Sequence, residues 1–166
     1  MRETNWAPAR GAEGALVWRS GFTARPRTGI GQTLISGNLE EALAALAPGA
    51  PMVSLCGRAP DEPHALRIAR DRALLVTPAP LGAADGWRNG WCATAVDEGW
   101  VAVEIEGEGA PLVMMQGTAA DLAAGSPSAG VLFAGLRCLI VRTGAGFRLH
   151  VERPWLEALL TWLDGA

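Results

Sequence analysis

The second half of the chain carries the pattern that most restricts the fold. Residues 101–106 read Val-Ala-Val-Glu-Ile-Glu, an alternation that predicts a strand with Val101, Val103 and Ile105 on one face. Five further elements are predicted after it: a helix over 110–116, strands over 131–134, 136–142 and 147–152, and a helix from Pro154. The order strand, helix, three strands, helix is typical of an α+β sandwich.

The last predicted helix shows which of its faces packs on the sheet. Proline suits the first helical position, where a backbone N–H would have no partner. Leu156, Leu159, Leu160 and Leu163 recur at spacings of three and four residues, so they lie on one face. We therefore expect this face to cover the sheet formed by the preceding strands.

The first half of the chain predicts a less regular version of the same order. A helix is predicted over 39–47, with Ser36 or Asn38 as its N-cap and Pro48-Gly49 at its end. The remaining elements are a strand over 52–56, a hairpin over 65–69 and 73–77, and loops over 20–33 and 78–90.

The predicted fold class is α+β, a ferredoxin-like type of sandwich built from an antiparallel or mixed sheet and helices. The similar order of elements in both halves raises internal duplication as an option, although no residue-level repeat is visible. A length of 166 residues predicts a single domain over 1–166.

Composition excludes several classes of protein. With 49% apolar and 19% charged residues, the chain is not a disordered one, and a net charge of -3 gives no reason to expect nucleic acid or anionic membrane as a partner. All 14 basic residues are arginine, and tyrosine is absent. Schiff-base, Walker-type lysine and phenolic acid chemistry are therefore excluded.

Cysteine usage and hydropathy predict a cytoplasmic protein. Cys56, Cys92 and Cys138 are widely spaced and form no CxxC motif, which is typical of reduced thiols in a protein core. The first twenty residues lack the apolar segment of a signal peptide, and no apolar run approaches the roughly 20 residues of a membrane helix.

Four segments, in this order, resemble a known family. They are Ala65-Leu-Arg-Ile with Arg72-Ala-Leu-Leu-Val-Thr77, Ala93-Thr-Ala-Val-Asp97 with Glu98-Gly-Trp-Val-Ala-Val-Glu-Ile-Glu-Gly107, Ala134-Gly-Leu-Arg-Cys-Leu-Ile-Val-Arg-Thr-Gly144, and Phe147-Arg-Leu-His-Val-Glu-Arg-Pro-Trp-Leu-Glu-Ala-Leu-Leu-Thr-Trp-Leu163. The chain resembles the gamma subunit of heterotetrameric sarcosine oxidase. That family has the fold of the folate-binding domain of the glycine-cleavage aminomethyltransferase. The resemblance covers residues 65–164; residues 1–35 match loosely, and Pro26–Gly31 departs most clearly.

The resemblance implies an accessory subunit without an active site. Its partners would be the larger subunits, which hold the flavins, NAD and folate of a complex that oxidatively demethylates sarcosine or a related N-methyl amino acid. No catalytic, cofactor-binding or metal-binding residue and no cofactor are then assigned to this chain. The alternatives are a folate-binding aminomethyltransferase-like protein, which needs carboxylates placed to engage folate, and a stand-alone structural homologue.

The candidate phosphate loop and carboxylate pair have simpler interpretations. Gly29-Ile-Gly31-Gln-Thr-Leu34 begins like a dinucleotide-binding GxGxxG loop, but leucine stands at the third glycine position, so we interpret it as a flexible loop. Glu104 and Glu106 share one strand face. We interpret this face as the solvated side of a half-buried strand, which is a simpler interpretation than an acid–base pair. Asp97 and Glu98 precede a glycine and suit a turn.

The histidines and cysteines show no ligand spacing. His64 and His150 form neither HxH nor HxxxH, so each is expected to be a surface or hydrogen-bonded histidine rather than a metal ligand. His150 alternates with Leu149 and Val151 and is expected on the opposite strand face. Cys138 is expected in the core and Cys92 to be structural.

Tryptophan and arginine provide the sequence argument for a protein partner, since both are enriched at interfaces. The relevant residues are Trp87, Trp91 and Trp100 near a Gly-rich loop, and Arg19, Arg25 and Arg27 in the N-terminal half. Trp87, Trp91 and Arg25 are the predicted anchors. Scattered surface arginines with tryptophans tucked under loops remain an equal alternative, and Trp155 and Trp162 are expected to border the core.

Overall fold

The computed structural model describes residues 17–19, 21–55, 57–82 and 86–166. The core thiol predicted at Cys56 lies outside the described residues, as does the side chain of Arg19. The strands are β1 Val17–Arg19, β2 Phe22–Arg27, β3 Gly31–Gly37, β4 Met52–Val53, β5 His64–Ala69, β6 Arg72–Thr77, β7 Gly86–Arg88, β8 Trp91–Ala95, β9 Trp100–Glu106, β10 Gly130–Phe133, β11 Leu136–Arg142 and β12 Gly146–Glu152. The helices are α1 Leu39–Leu46, α2 Ala110–Gly117 and α3 Leu156–Gly165.

The strands form two six-stranded sheets. Sheet A has the spatial order β1-β2-β9-β12-β11-β10, and sheet B has the order β4-β5-β6-β3-β8-β7. All neighbours are antiparallel except β4 and β5, which are parallel. The predicted α+β class with an antiparallel or mixed sheet and packed helices is therefore confirmed.

Three apolar cores define four layers. Helices α2 and α3 pack on the outer face of sheet A, where Leu156, Leu159 and Leu163 are buried as predicted. Helix α1 packs on the outer face of sheet B. The two inner faces meet in a third core, to which Leu74 of sheet B and Leu139 of sheet A contribute. Both sheets are thus covered on both faces.

The chain order within the two sheets is the same, which reveals an internal duplication. β3, α1, β4, β5 and β6 give the spatial order β3-β6-β5-β4, and β9, α2, β10, β11 and β12 give β9-β12-β11-β10. The hairpin that precedes each unit is exchanged between the sheets. The β1–β2 hairpin pairs with β9 of sheet A, and the β7–β8 hairpin pairs with β3 of sheet B.

Equivalent glycines make the two exchanges possible. Gly37 ends β3 with φ 101° and lies against the Gly90 carbonyl at the start of β8. Gly107 follows β9 with φ 114° and lies against the Gly21 carbonyl at the start of β2. A Cβ atom at either position would come within 2.3 Å of that carbonyl oxygen. Only glycine tolerates both the backbone conformation and the close approach.

Two predicted loops contain strands. The stretch 20–33 holds β2 and the start of β3, and 78–90 holds β7, so both predictions are wrong in part. Pro26 and several glycines suggested a loop, but Pro26 pairs only with β9, while β1 pairs with β2 over residues 22–24. Beyond residue 24, β2 has no described strand on the side away from β9, and proline is tolerated at such an edge.

The other predicted elements are confirmed with small shifts in their bounds. Asn38 caps α1 through its side chain, which accepts a hydrogen bond from the Glu41 N–H. The predicted strand over 52–56 is shorter, as Met52–Val53. A 3₁₀ turn over Arg153–Trp155 precedes α3. Within the described ranges, no helix has the length and apolar character needed to cross a lipid bilayer.

We predict that Gly107→Ala strongly destabilises the protein. The added Cβ would collide with the Gly21 carbonyl oxygen at 2.3 Å, in a backbone conformation that alanine adopts only at a cost. The free energy of unfolding should fall by about 3 kcal/mol or more in chemical denaturation. Gly82→Ala is the control, because nothing lies within 4 Å of the position that its Cβ would occupy. Equal stability of the two variants would contradict the exchanged-hairpin packing.

Candidate functional site

A buried network of charged side chains lies on the inner face of sheet A. On β9 and β12 the odd-numbered residues face the helices, so the even-numbered Glu104 and Arg148 face sheet B. Their exposures are only 7% and 6%. The prediction that Glu104 lies on a solvated strand face is therefore wrong, because a second sheet covers that face.

Strand register places the charges side by side. Arg148 of β12 and Arg25 of β2 are both direct cross-strand partners of Glu104. Arg148 Nη2 donates to Glu104 Oε1 at 3.1 Å, and Arg25 Nη2 lies 3.4 Å from Glu104 Oε2. The row therefore runs arginine, glutamate, arginine across the adjacent strands β2, β9 and β12, and each neighbouring pair of opposite charges attracts.

Glu62 joins this row from the chain segment that precedes β5 of sheet B. Arg148 Nη1 donates to Glu62 Oε1 at 2.5 Å, and Arg27 donates to both glutamates, at 3.3 Å to Glu62 Oε2 and 3.2 Å to Glu104 Oε1. Two arginines thus hold two carboxylates in a closed ring. This ring connects the two sheets, because β2, β9 and β12 belong to sheet A and Glu62 lies in the segment just before β5 of sheet B.

The electrostatics of the ring favour the ionised form of Glu62. Burial raises the pKa of Glu62, but a backbone hydrogen bond, the hydrogen bond and charge of Arg148 and the charge of Arg27 outweigh it, so the pKa lies below the ordinary value. A general acid needs the opposite shift. The arrangement therefore suits structural cross-linking better than proton transfer.

A second hydrogen-bonded chain connects the sheets through Gln32 and His150. His150 faces sheet B as predicted, and its Nδ1 lies 2.7 Å from Gln32 Oε1. Gln32 Nε2 donates to the Trp100 carbonyl at 3.0 Å, and its backbone N–H donates to Asp97 Oδ1. Asp97 lies in the predicted turn and also anchors the start of β3 in sheet B.

His64 and His150 are both fully buried and both neutral near pH 7. Burial lowers the pKa of His64 to about 4, assisted by Arg148 and opposed by Glu62 and by the nearby backbone of Asp61. Burial, Arg148 and His64 lower the pKa of His150 well below 6.5. His64 has 0% exposure, so the prediction of a surface histidine is wrong for it. Neither ring nitrogen makes a hydrogen bond of good geometry to a described protein atom, although the backbone of Asp61 lies near enough to raise the pKa of His64.

The candidate metal ligands and the described cysteines do not form a reactive site. In the described part of the chain, no three His, Cys, Asp or Glu side chains converge in a way that would hold a metal ion. Cys138 is buried in the core beneath α3, where burial raises its pKa to about 12. Cys92 is half-buried on β8. Of the segment Gly29–Leu34, which resembles the start of a dinucleotide loop, residues 31–34 begin β3 instead.

Two clefts open on the surface of the described residues. One, of about 260 Å³, lies beside Gln32 and Trp100 between the turns at 28–30 and 97–99, and Arg153 closes one side. Arg153 is itself bound to the backbone carbonyls of Glu98 and Asp97. The other, about 690 Å³, is a shallow groove between 54–57 and 122–127. Neither cleft is lined by the buried histidines; of the charged ring, only Arg27 lines the smaller cleft.

The predicted partner anchors have different environments. Trp87 is 82% exposed on edge strand β7 and remains a candidate. Trp91 is only 4% exposed and packs in the core beneath α1, so its prediction as an exposed anchor is wrong. Arg25 is half-exposed, but it lies within β2 and pairs with Glu104 rather than occupying a loop.

Two of the remaining described tryptophans, Trp162 and Trp100, pack against apolar cores. Trp162 contacts Phe133 edge-to-face at 5.2 Å between ring centroids, so it borders the core as expected. Trp155 is half-exposed and does not pack against the core, so the expectation that it borders the core is wrong. Trp100 is half-buried at the inter-sheet core.

Sequence reasoning missed Glu62, Arg148 and Gln32. A signal was present, because Arg148 and His150 alternate with apolar Phe147, Leu149 and Val151 in the same way as the solvated face of a strand does. Alternation identifies two faces and does not say whether a second sheet covers the polar one.

Of the comparisons with known proteins, the one with solved structures identifies a shared fold. No protein-family model matches the sequence, and no curated protein matches it. Eleven chains of solved structures match, among them a chain of heterotetrameric sarcosine oxidase from Corynebacterium sp. U-96 in complex with pyrrole 2-carboxylate. The TM-score is 0.70 and the sequence identity 21%. The two chains share a fold.

The extent of this match exceeds that of the sequence resemblance. It covers 93% of this chain and 88% of the other, so the two chains are similar in length. It therefore extends well into the first 60 residues, which the sequence resemblance did not cover. The expected relationship to heterotetrameric sarcosine oxidase is confirmed at the level of the fold.

We predict that Arg148→Met strongly destabilises the protein. The substitution leaves two buried carboxylates with one fewer partner, a change that typically costs about 3–5 kcal/mol of unfolding free energy. Arg25→Met is the matched control on the same row, and because Arg25 is 57% exposed it should cost less than about 1 kcal/mol. Equal losses in urea denaturation would contradict the assigned difference in burial.

We predict that stability falls as the pH drops from about 6.5 to about 4. In this range the unfolded chain protonates His64 whereas the folded chain does not, and the loss from His64 alone is about 3 kcal/mol. His150 acts in the same direction, and Glu62 adds a further loss below about 4.5. Unfolding free energies measured across this range should be less pH-dependent in His64→Leu. An unchanged slope would argue against a buried neutral His64.

Proposed function

We propose that this chain is the accessory, non-catalytic gamma-type subunit of a sarcosine oxidase-like complex. Its partners would be the larger subunits, which would carry the flavin chemistry that demethylates sarcosine or a related N-methyl amino acid. The observation that carries the proposal is the fold match to a chain of similar length from a heterotetrameric sarcosine oxidase.

The near-complete coverage of both chains supports a small-subunit role. A match to one domain of a large catalytic chain would leave most of that chain uncovered. Here 88% of the matched chain is covered, which is the relationship expected between two subunits of one kind. The ordered sequence segments between residues 65 and 164 point to the same subunit.

The state of the buried titratable groups also supports an accessory role. Glu62 and Glu104 are both bound by arginines, and His64 and His150 are held neutral away from the surface. Folate recognition or general base catalysis needs a carboxylate or imidazole that a substrate can reach. No observation on these residues specifically favours the aminomethyltransferase-like alternative.

The proposal has three further parts. We infer one gamma-like domain over residues 1–166, because the exchanged hairpins make each half complete the other's sheet. We infer a cytoplasmic protein whose cysteines stay reduced. The chain is proposed to hold no cofactor of its own, the flavins, NAD and folate belonging to the larger subunits.

We predict that the chain co-purifies with larger sarcosine oxidase-type subunits co-expressed from the same genome, and that Trp87→Ala weakens the complex. An exposed tryptophan that becomes buried at an interface typically contributes about 2 kcal/mol, or roughly a 30-fold change in affinity. Trp155→Ala, which removes a half-exposed tryptophan from the turn before α3, is the matched control and should bind normally.

Two outcomes would count against these proposals. If both tryptophan variants bind like the parent chain, Trp87 is not an anchor. If the chain associates with no larger subunit and by itself turns over a methylated amine or a folate substrate, the accessory role is wrong.

A further inference from the structure

The inner faces of the two sheets bring together polar atoms that the described protein atoms leave without a partner. Both ring nitrogens of His64, the Nε2 of His150 and the Nε of Arg148 are buried in this way. His64 comes from β5 of sheet B, while Arg148 and His150 come from one face of β12 in sheet A. Arg148 binds Glu62, two residues before His64, and His150 follows Arg148 by two residues on the same face of β12, so the three side chains lie in one region between the sheets.

The hydrogen bonds of Gln32 determine the tautomer of His150. Because Gln32 Nε2 donates to the Trp100 carbonyl, its Oε1 is the amide oxygen and can only accept. The 2.7 Å contact with His150 Nδ1 therefore requires a proton on Nδ1. In a neutral ring the Nε2 then carries a lone pair, which makes it a buried acceptor with no described protein donor.

The cluster offers donors and acceptors in equal measure. Neutral His64 has one ring N–H and one ring lone pair, Arg148 adds its Nε–H, and His150 adds its Nε2 lone pair. Leaving such groups unsatisfied in the interior costs about 1–3 kcal/mol each. A ligand that both donates and accepts hydrogen bonds would remove this penalty.

The surrounding charges exclude ionic occupants. A cation would lie beside the Arg148 guanidinium, which already lowers the pKa of both histidines. An anion would meet two neutral imidazoles and an arginine already neutralised by Glu62 and Glu104. The cluster therefore favours a small neutral molecule.

We propose that at least one ordered water molecule binds among the unpartnered ring and guanidinium nitrogens of His64, His150 and Arg148. It accepts from Arg148 Nε–H, donates to His150 Nε2 and bonds to His64, so it connects sheet A with sheet B. A water with three polar partners is typical of buried hydration sites. The cluster is thereby a hydration site that contributes to sheet packing, and its two histidines are not metal ligands.

Crystallography of the full chain at about 1.5 Å resolution tests the water directly. The expected result is a water within hydrogen-bonding distance of His150 Nε2 and of at least one of His64 or Arg148 Nε. A dry cluster, or ring nitrogens of His64 and His150 both bonded to protein atoms, would overturn the proposal.

Solution measurements on the same chain test the tautomer and the metal alternative. Nitrogen-15 NMR should show His150 protonated at Nδ1 and unprotonated at Nε2 near pH 7; the opposite tautomer would contradict the assignment. Titration with zinc chloride, followed by calorimetry, should give the same heats for the parent chain and His64→Leu. Stoichiometric zinc binding that disappears in His64→Leu would show a metal site in place of the water site.

Discussion

The face-to-face packing of the two sheets is the constraint on which the rest of the structure depends. It converts the polar faces of β9 and β12, which would be solvated in a two-layer sandwich, into interior surface. Any charge on those faces must then be paired, because an isolated buried charge is strongly unfavourable. Arg27, Glu62, Glu104 and Arg148 meet this demand as a closed ring. The same desolvation keeps His64 and His150 neutral.

Because the hairpins are exchanged, each sheet contains strands from both halves of the chain. Each half supplies the strand that flanks the first strand of the other half's sheet, so neither sheet is complete without both halves. The close approach of β2 to β9 and of β8 to β3 requires glycine at positions 107 and 37. The buried charges lie on the β2–β9–β12 side of this arrangement, where Arg25 and Arg27 from the first half meet Glu104 from the second. The ionic network therefore also joins the two repeats.

The carboxylates and imidazoles that resemble catalytic candidates in the sequence are committed to holding the sheets together. For the proposed accessory role, a rigid interior matters more than a reactive one. Trp87 on edge strand β7 is the feature most directly available to a partner.

The sequence by itself determined the fold class and most of the local elements, although it missed the strands β2 and β7. Alternation at 101–106, the Asn38 cap, the stop at Pro48-Gly49 and the leucine spacing of α3 are local signals, and the structure follows each of them. Only the tertiary structure decided which strand faces are buried. A period of two identifies the faces but carries no information about what covers them, so Glu104 and His64 were assigned to the wrong environment. The exchange of β2 and β8 was also invisible, because it depends on pairing between residues about 60 to 80 positions apart rather than on neighbouring ones.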